Sequence, residues 1–464
     1  MRRFLLILTL ISLSSIAQAA TDNGCWFLRM NDPRAPKIVL PAQTKSVVIE
    51  NYFHIFYSAG DLASADLVAR QQETFSRSKH LLQTEMGWRL PVSRKQANEP
   101  ELDIYFIAAP KRFTGTVTND KDLAIILNKD SLASNEFAAL WMHQLAHAAE
   151  LQYKAAGDYW FYEATAGWME GLISPASSRT IAARQLIQDH PEFSLTNSQP
   201  VAALGASRFV EMLSRPYRDL VRQIWDQWSF DSTDTLIEVV SKTLELNHLP
   251  DFDSYLQNYF LGAHSQSELR NNSLNVALLP FSAAVLRGTS DQANGGAHVS
   301  FTPDTTLPYA AGLLFYTRGE GSGSAVLKKG LSQQWSVLVP YNGLEHFDVV
   351  VVNTSPQILR GKIQRDYDSA IPGVLEYFRV NPGDSGVQIE WKTSREDGVA
   401  FWNLYRLDHG TRQLLNDFPI PASINSEQGV HYLYLDSSDG AFYSLEAITA
   451  DGLASPFASA EAPK

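Results

Sequence analysis

The hydrophobic period changes near Gln266, and this change constrains the fold more than any other feature of the chain. From about Asn51 to His264 apolar residues recur at helical spacing, broken by a few short strand-like runs. Beyond Gln266 the helical period is gone, and strand-like runs follow one another, set off by Gly, Ser and Asn turns. Such a switch predicts a mixed helical and stranded domain followed by all-β modules. The length of 464 residues and a hydrophobic content of 45% suit a multidomain chain with real cores.

The first region predicts one long helix over Leu62–Met86, ended by Gly87-Trp88, then strands at Leu102–Ile107 and Leu123–Leu127. Helices are expected near Asn135–Tyr153, Tyr162–Leu172, Arg208–Leu213, Tyr217–Trp228, Thr233–Leu244 and Phe252–Leu261. The β region reads as strands at Leu313–Tyr316, Trp335–Val339, Phe347–Val352, Val387–Trp391, Trp402–Arg406 and Phe442–Ala447. Domain limits are expected at 20–265, 266–373 and 374–464, after a leader over 1–19.

That leader sets the expected compartment. Arg2 and Arg3 form a positive start, Phe4–Leu13 is a short apolar run, and Ala17-Gln18-Ala19 supplies a small-x-small cleavage pattern. The run is too short to span a bilayer, which takes about 20 apolar residues. The expectation is export, to the periplasm or the medium, with no membrane span after cleavage. Lys and Arg number 38 against 50 Asp and Glu, a net charge of −12, which argues against nucleic acid as a partner. The single cysteine, Cys25, excludes an intrachain disulfide framework. A thiolate there could ligate a metal as a latency switch, but an unpaired thiol near the N-terminus is the simpler reading.

The stretch that carries chemistry is His143-Gln144-Leu145-Ala146-His147-Ala148-Ala149-Glu150. On a helix His143 and His147 project from one face, and Glu150 shares it. Two imidazoles so placed suit a zinc ion. A third ligand has to come from elsewhere, and Glu163, in the segment Trp160-Phe161-Tyr162-Glu163-Ala164-Thr165-Ala166-Gly167-Trp168-Met169-Glu170, can face them if that helix packs antiparallel on the first. Two histidines and one glutamate leave a position open, as in catalytic rather than structural sites.

These residues resemble the gluzincin metallopeptidases, whose first helix carries H-E-x-x-H and whose second carries W-x-x-E-x-x-A-x-[WY]-x-E. Trp160, Glu163, Ala166, Trp168 and Glu170 match the second motif. Both histidines match the first, but its glutamate is replaced by Gln144. The whole chain looks like secreted bacterial metalloproteases in which such a domain precedes β-sandwich modules. The resemblance implies an α+β zincin-like domain with one zinc ion held by His143, His147 and Glu163, and Glu170 orienting a ligand from behind. It also implies that residue 144 should accept a proton from the attacking water, which an amide cannot do. Glu150, on the same helical face, is a candidate substitute base. Tyr217, His248, Tyr255 and Tyr259 are candidates for stabilising an oxyanion; Trp160 and Trp168 are expected to pack in the core.

Residues from Val374 resemble a fibronectin type III or related sandwich, with Trp391 at the position such domains bury. Two functional classes follow: a zinc metallopeptidase of weak or unusual activity, or a pseudopeptidase that binds a polypeptide or glycan, with or without the metal.

Overall fold

The computed structural model describes residues 44–461, apart from 59–61, 92–99, 109–114, 119–122 and further connecting segments along the chain. The leader over 1–19 and Cys25 lie outside the described residues. Two compact units emerge, one formed by the described residues up to Ile187 together with Leu195–Leu249, the other by Gln188–Ser194 with Pro250 onward. Among the described residues no helix is long and apolar enough to cross a membrane.

The first unit is built on a five-stranded mixed sheet of order β1-β2-β3-β5-β4. Strands β2 (Phe53–Ser58), β3 (Leu102–Ile107) and β5 (Ala124–Asn128) run parallel, while β1 (Thr44–Ile49) and β4 (Gly115–Thr118) are antiparallel edges. β1 and β2 meet through a turn with both Glu50 and Asn51 at positive φ, closed by Tyr52 N–H donating to the Ile49 carbonyl at 3.0 Å. β5 has all five residues buried, which explains its unbroken apolar run.

The long helix expected over Leu62–Met86 is divided. Helix α1 (Leu62–Arg70) stops at Gln71, and α2 (Gln72–His80) restarts beyond it. The Gln71 side chain accepts from Thr74 Oγ1 at 3.0 Å and donates to the Leu132 carbonyl at 3.3 Å, so it ties the junction of the two helices to a neighbouring segment. A wide π turn over Leu81–Glu85 ends the element, and Gly87 takes the left-handed conformation that closes it, at φ +68°.

Eight further helices follow: α3 (Phe137–Glu150), α4 (Tyr159–Ile173), α5 (Ser178–Asp189), α6 (Pro200–Gly205), α7 (Ser207–Ser214), α8 (Leu220–Phe230), α9 (Leu236–Leu246) and α10 (Phe252–Phe260). Helices α5 and α6 are absent from the sequence expectation. In α5 only Thr180, Ala183 and Ile187 are buried, too thin an apolar stripe to read as a helical period. Helix α10, expected with the helical domain, belongs to the second unit. It packs on β13 (Leu344–Asn353), whose Val350 and Val352 are fully buried on the face opposite the alternate core residues Val349 and Val351.

The second unit holds two pairs of sheets. Strands β11 (Ala325–Leu331), β10 (Pro308–Thr317), β13, β8 (Ala283–Thr289) and β6 (Ser267–Glu268), in that order, face β12 (Trp335–Pro340), β9 (Gly296–Pro303), β14 (Leu359–Asp368) and β7 (Ser273–Leu278) across one apolar core that includes Leu286, Phe301, Leu313, Trp335, Phe347 and Ile363. Strands β15 (Val374–Gly383), β16 (Gly386–Arg395) and β20 (His431–Asp436) face β18 (Thr411–Leu414), β17 (Val399–Asp408), β21 (Phe442–Thr449) and β22 (Ala454–Glu461), with the short β19 (Ile420–Pro421) beside β17, across another core centred on Trp391, Trp402 and Tyr443. Both pairs are sandwich-like. Trp391 is fully buried, with its ring stacked on Tyr432 at 4.9 Å between centroids.

Candidate metal centre

Helix α3 is buried almost throughout, from Phe137 to Glu150. Its alanines at 139, 146, 148 and 149 let neighbours approach closely, so the polar residues it carries are enclosed rather than exposed. At 100° per residue His143, His147 and Glu150 fall within an arc of about 60°, and Gln144 lies about 60° beyond His147. Helix α4 presents Tyr159, Glu163, Ala166 and Glu170 in a matching stripe, at spacings of four, three and four. The link between the helices needs Gly157, because a Cβ there would fall 2.3 Å from the Trp228 ring. Beneath α4 the rings of Tyr153, Phe161, Tyr162, Trp225 and Trp228 pack edge to face and stacked, which fixes that helix firmly. Trp160 and Trp168 are both buried.

The two stripes meet. His143 Nε2 lies 3.3 Å from Glu163 Oε2, and His147 Nε2 lies 3.5 Å from Glu163 Oε1. The two Nε2 atoms are 3.2 Å apart. Going back along α3 from His147 to His143 corresponds to going forward along α4 from Glu163 to Glu170, so the helices are antiparallel. His143, His147 and Glu163, all buried, form a group that could hold a metal ion.

Each histidine also has a carboxylate behind it. His143 Nδ1 lies 3.3 Å from Glu170 Oε2, and His147 Nδ1 lies 2.7 Å from Glu150 Oε2. Glu170 is itself clamped by the Ser177 hydroxyl, by Thr180 Oγ1 at 2.6 Å and by Arg179 Nη2 at 2.6 Å, all from the turn after α4 and the start of α5.

Burial acts to raise the pKa of Glu163, but hydrogen bonds and then charge from His143 and His147 outweigh it and hold the carboxyl well below the usual range. Burial likewise acts against Glu170 and is outweighed, first by the Arg179 charge, so this carboxyl too is held low. Glu150 goes the other way. Burial pushes it up to about 7, only partly offset by His147.

Four of the expected residues, His143, His147, Glu163 and Glu170, come together. Glu150 comes close too, but on the far ring nitrogen of His147, away from the converging donor atoms. As a substitute base it is therefore displaced: the His147 imidazole stands between its carboxylate and the converging donor atoms. Gln144 is buried one residue beyond His143. Of the residues considered for oxyanion stabilisation, Tyr217 is half exposed, His248 ends α9 at positive φ, and Tyr255 and Tyr259 sit on α10 in the second unit. A residue the sequence reading passed over touches the group directly: Tyr159 donates its hydroxyl to Glu163 Oε1 at 2.9 Å. The four-residue spacing from Glu163 at the start of α4 was the available signal.

No protein-family model matches the chain, and no curated protein matches it. Solved structures similar to parts of it include a β-1,2-glucanase from Parabacteroides distasonis, at 12% identity over 41% of this chain and 32% of that one, TM-score 0.16. PirA matches at 15% identity over 21% of this chain and 94% of that one, TM-score 0.16. The adhesin domain of Epf from Streptococcus pyogenes matches at 9% identity over 41% and 78%, TM-score 0.15. The chain spans about a third of the length of the glucanase. Likenesses this weak carry no argument about fold or activity.

Proposed function

We propose that this chain is an exported, gluzincin-like zinc-binding protein whose peptidase chemistry is impaired at Gln144. In this reading the first unit is a zincin-like domain and the segment from Val374 a fibronectin type III-like module that spaces or binds. The observation that carries the reading is the convergence of His143 Nε2, His147 Nε2 and the Glu163 carboxylate, each imidazole backed on Nδ1 by a buried carboxylate.

The donor set fits zinc. Bonds of about 2.0–2.1 Å in a tetrahedral site imply ligand atoms about 3.3 Å apart, and the spacings here are 3.2, 3.3 and 3.5 Å. Charge fits as well. Glu150, Glu163 and Glu170 are buried and Arg179 alone is paired among them as a fixed cation, so ionised carboxylates leave an excess of two negative charges. Buried charge has to be compensated, by protons on the histidines and on Glu150 or by a divalent cation.

A zinc ion bound there would supply Lewis acidity, lowering the pKa of water and polarising a carbonyl oxygen. The chain's own residues would do the rest. His143, His147 and Glu163 would hold the ion, and Glu170 would keep the proton of His143 on Nδ1, leaving Nε2 to the metal. Tyr159 would hold the Glu163 carboxylate by its hydroxyl. Gln144 would donate or accept a hydrogen bond at the base position without removing a proton. Losing a general base costs on the order of 10²–10⁴ in rate. Retained binding with lost cutting favours a polypeptide or glycan ligand over a turned-over substrate.

The test is the zinc content of the purified full-length protein, measured beside its cleavage of an unstructured protein. About one zinc per chain with negligible cleavage is expected. A protein that holds no zinc when zinc is supplied would sink the reading, and efficient chelator-sensitive cleavage would restore an active peptidase.

A further inference from the structure

We propose that Glu150 is a positioning residue of the metal centre: it fixes the proton of His147 on Nδ1, so that Nε2 faces the other two ligands as a free lone pair. The inference rests on the metal-binding reading above, which notes the carboxylate behind His147 without giving it a role.

Three observations carry it. Glu150 closes α3 three residues after His147, and its Oε2 lies 2.7 Å from His147 Nδ1. In its ionised form the Glu150 carboxylate can only accept there, so the ring nitrogen donates, and the remaining lone pair of a neutral imidazole is at Nε2. The carboxylate is fully buried, and among the described residues its Oε1 has no hydrogen-bond partner. A half-satisfied buried carboxylate is costly to a fold that gains nothing from it. Finally, the arrangement repeats what Glu170 does at His143 Nδ1. The two are not equivalent. Glu170 also binds Ser177, Arg179 and Thr180 and so anchors the turn after α4, whereas the one contact of Glu150 Oε2 shorter than 3 Å is to His147. Removing Glu150 should therefore act on the metal with little effect on the fold.

The experiment measures zinc affinity of the full-length protein by competition with a chromophoric chelator, in wild type, Glu150→Leu and Glu150→Gln, with folding followed by circular dichroism. Leucine fills the space and removes a buried charge but leaves His147 Nδ1–H without its acceptor, so Glu150→Leu should still fold, with a loss of stability set by that one unpaired donor. Its zinc affinity should drop 10–100-fold, the range for loss of an outer partner of a ligating histidine. Glutamine still offers an oxygen to Nδ1–H, so Glu150→Gln should stay within about threefold of wild type. Wild-type affinity in Glu150→Leu would overturn the proposal while leaving the metal centre standing. Equal losses in both variants would overturn the proton assignment. Failure of Glu150→Leu to fold would make Glu150 a structural residue instead. A wild type that binds no zinc would overturn the metal-binding reading itself, and this proposal with it.

Discussion

Replacing Gln144 by glutamate separates the two halves of the site, because it restores a proton acceptor and leaves the three donor residues untouched. Gln144 is almost wholly buried, and glutamate is nearly isosteric with it, so packing should barely change. The electrostatic cost is larger. The new carboxylate joins Glu150, Glu163 and Glu170 in a region whose fixed cation is Arg179, so its pKa should be raised by its neighbours and by burial. Its basic form then appears only above that raised pKa, and the gain in activity should grow as pH rises. A divalent cation nearby works against the shift, so zinc should extend the active range toward lower pH. If the missing base is the whole defect, cleavage of a labelled unstructured protein should rise by the 10²–10⁴ attributed to a general base, about 3–5 kcal/mol of barrier. The gain should vanish with a chelator and in a Glu163→Ala background, with zinc content unchanged from wild type at neutral pH. Equal, chelator-sensitive activity in wild type and variant would refute the reasoning, since another group would already be serving as base. No activity in either protein, with zinc bound in both, would mean that substrate placement has decayed as well, and a binding module would remain.

Three further outcomes are expected. His143→Ala or His147→Ala should abolish retention of zinc after dialysis, measured by metal analysis, because each removes a nitrogen at 3.2 Å from its partner. Zinc at a hundredfold excess over its Kd should stabilise the protein by about 2.7 kcal/mol, a rise of roughly 5–10 °C in the melting of the first unit. That rise should shrink as pH falls, because protons compete with the ion for the two imidazoles; Glu163, whose carboxyl is held low, is not the group that limits binding. Trp391→Ala should destabilise the second unit by about 3–5 kcal/mol, read from its denaturant transition, because the side chain is fully enclosed between Trp402 and Tyr432.

The meeting of His143, His147 and Glu163 was legible because two local patterns, one per helix, each fix a face, and a short link with a glycine leaves the helices little choice but to return antiparallel. What lay behind the histidines was only half legible. Glu170 could be read from a motif position, but the residues that clamp it sit where no periodic signal shows, Ser177 in the turn after α4 and Arg179 and Thr180 in the first turn of α5. Glu150 was visible as a same-face carboxylate, yet spacing alone gives the face and not the depth: which ring nitrogen it meets depends on imidazole orientation. The unit to which the last helix belongs escaped for a related reason. Helix α10 has the amphipathic period of the helices before it, and nothing local reveals that its partner is β13. The division of the 62–86 helix at Gln71 escaped because glutamine is a good helix former, and its side-chain bond to the Leu132 carbonyl reaches 61 residues along the chain.

Separating metal retention from catalysis has a physical basis in where the charges lie. The groups that would hold the ion are themselves held: Glu163 by Tyr159, Glu170 by three donors, His147 by Glu150. Each of these contacts is made within the chain and none involves residue 144. A glutamine rather than a carboxylate at 144 therefore leaves the site without a proton acceptor there and without a fourth buried negative charge. With three ionised carboxylates, one guanidinium and a divalent cation the region would be close to neutral; a fourth carboxylate would attract the cation further but would need compensation whenever the ion is absent. An amide at 144 thus leaves the donor set intact while withholding a base, and that separation is the physical basis for proposing a chain that holds a polypeptide or glycan rather than cuts it.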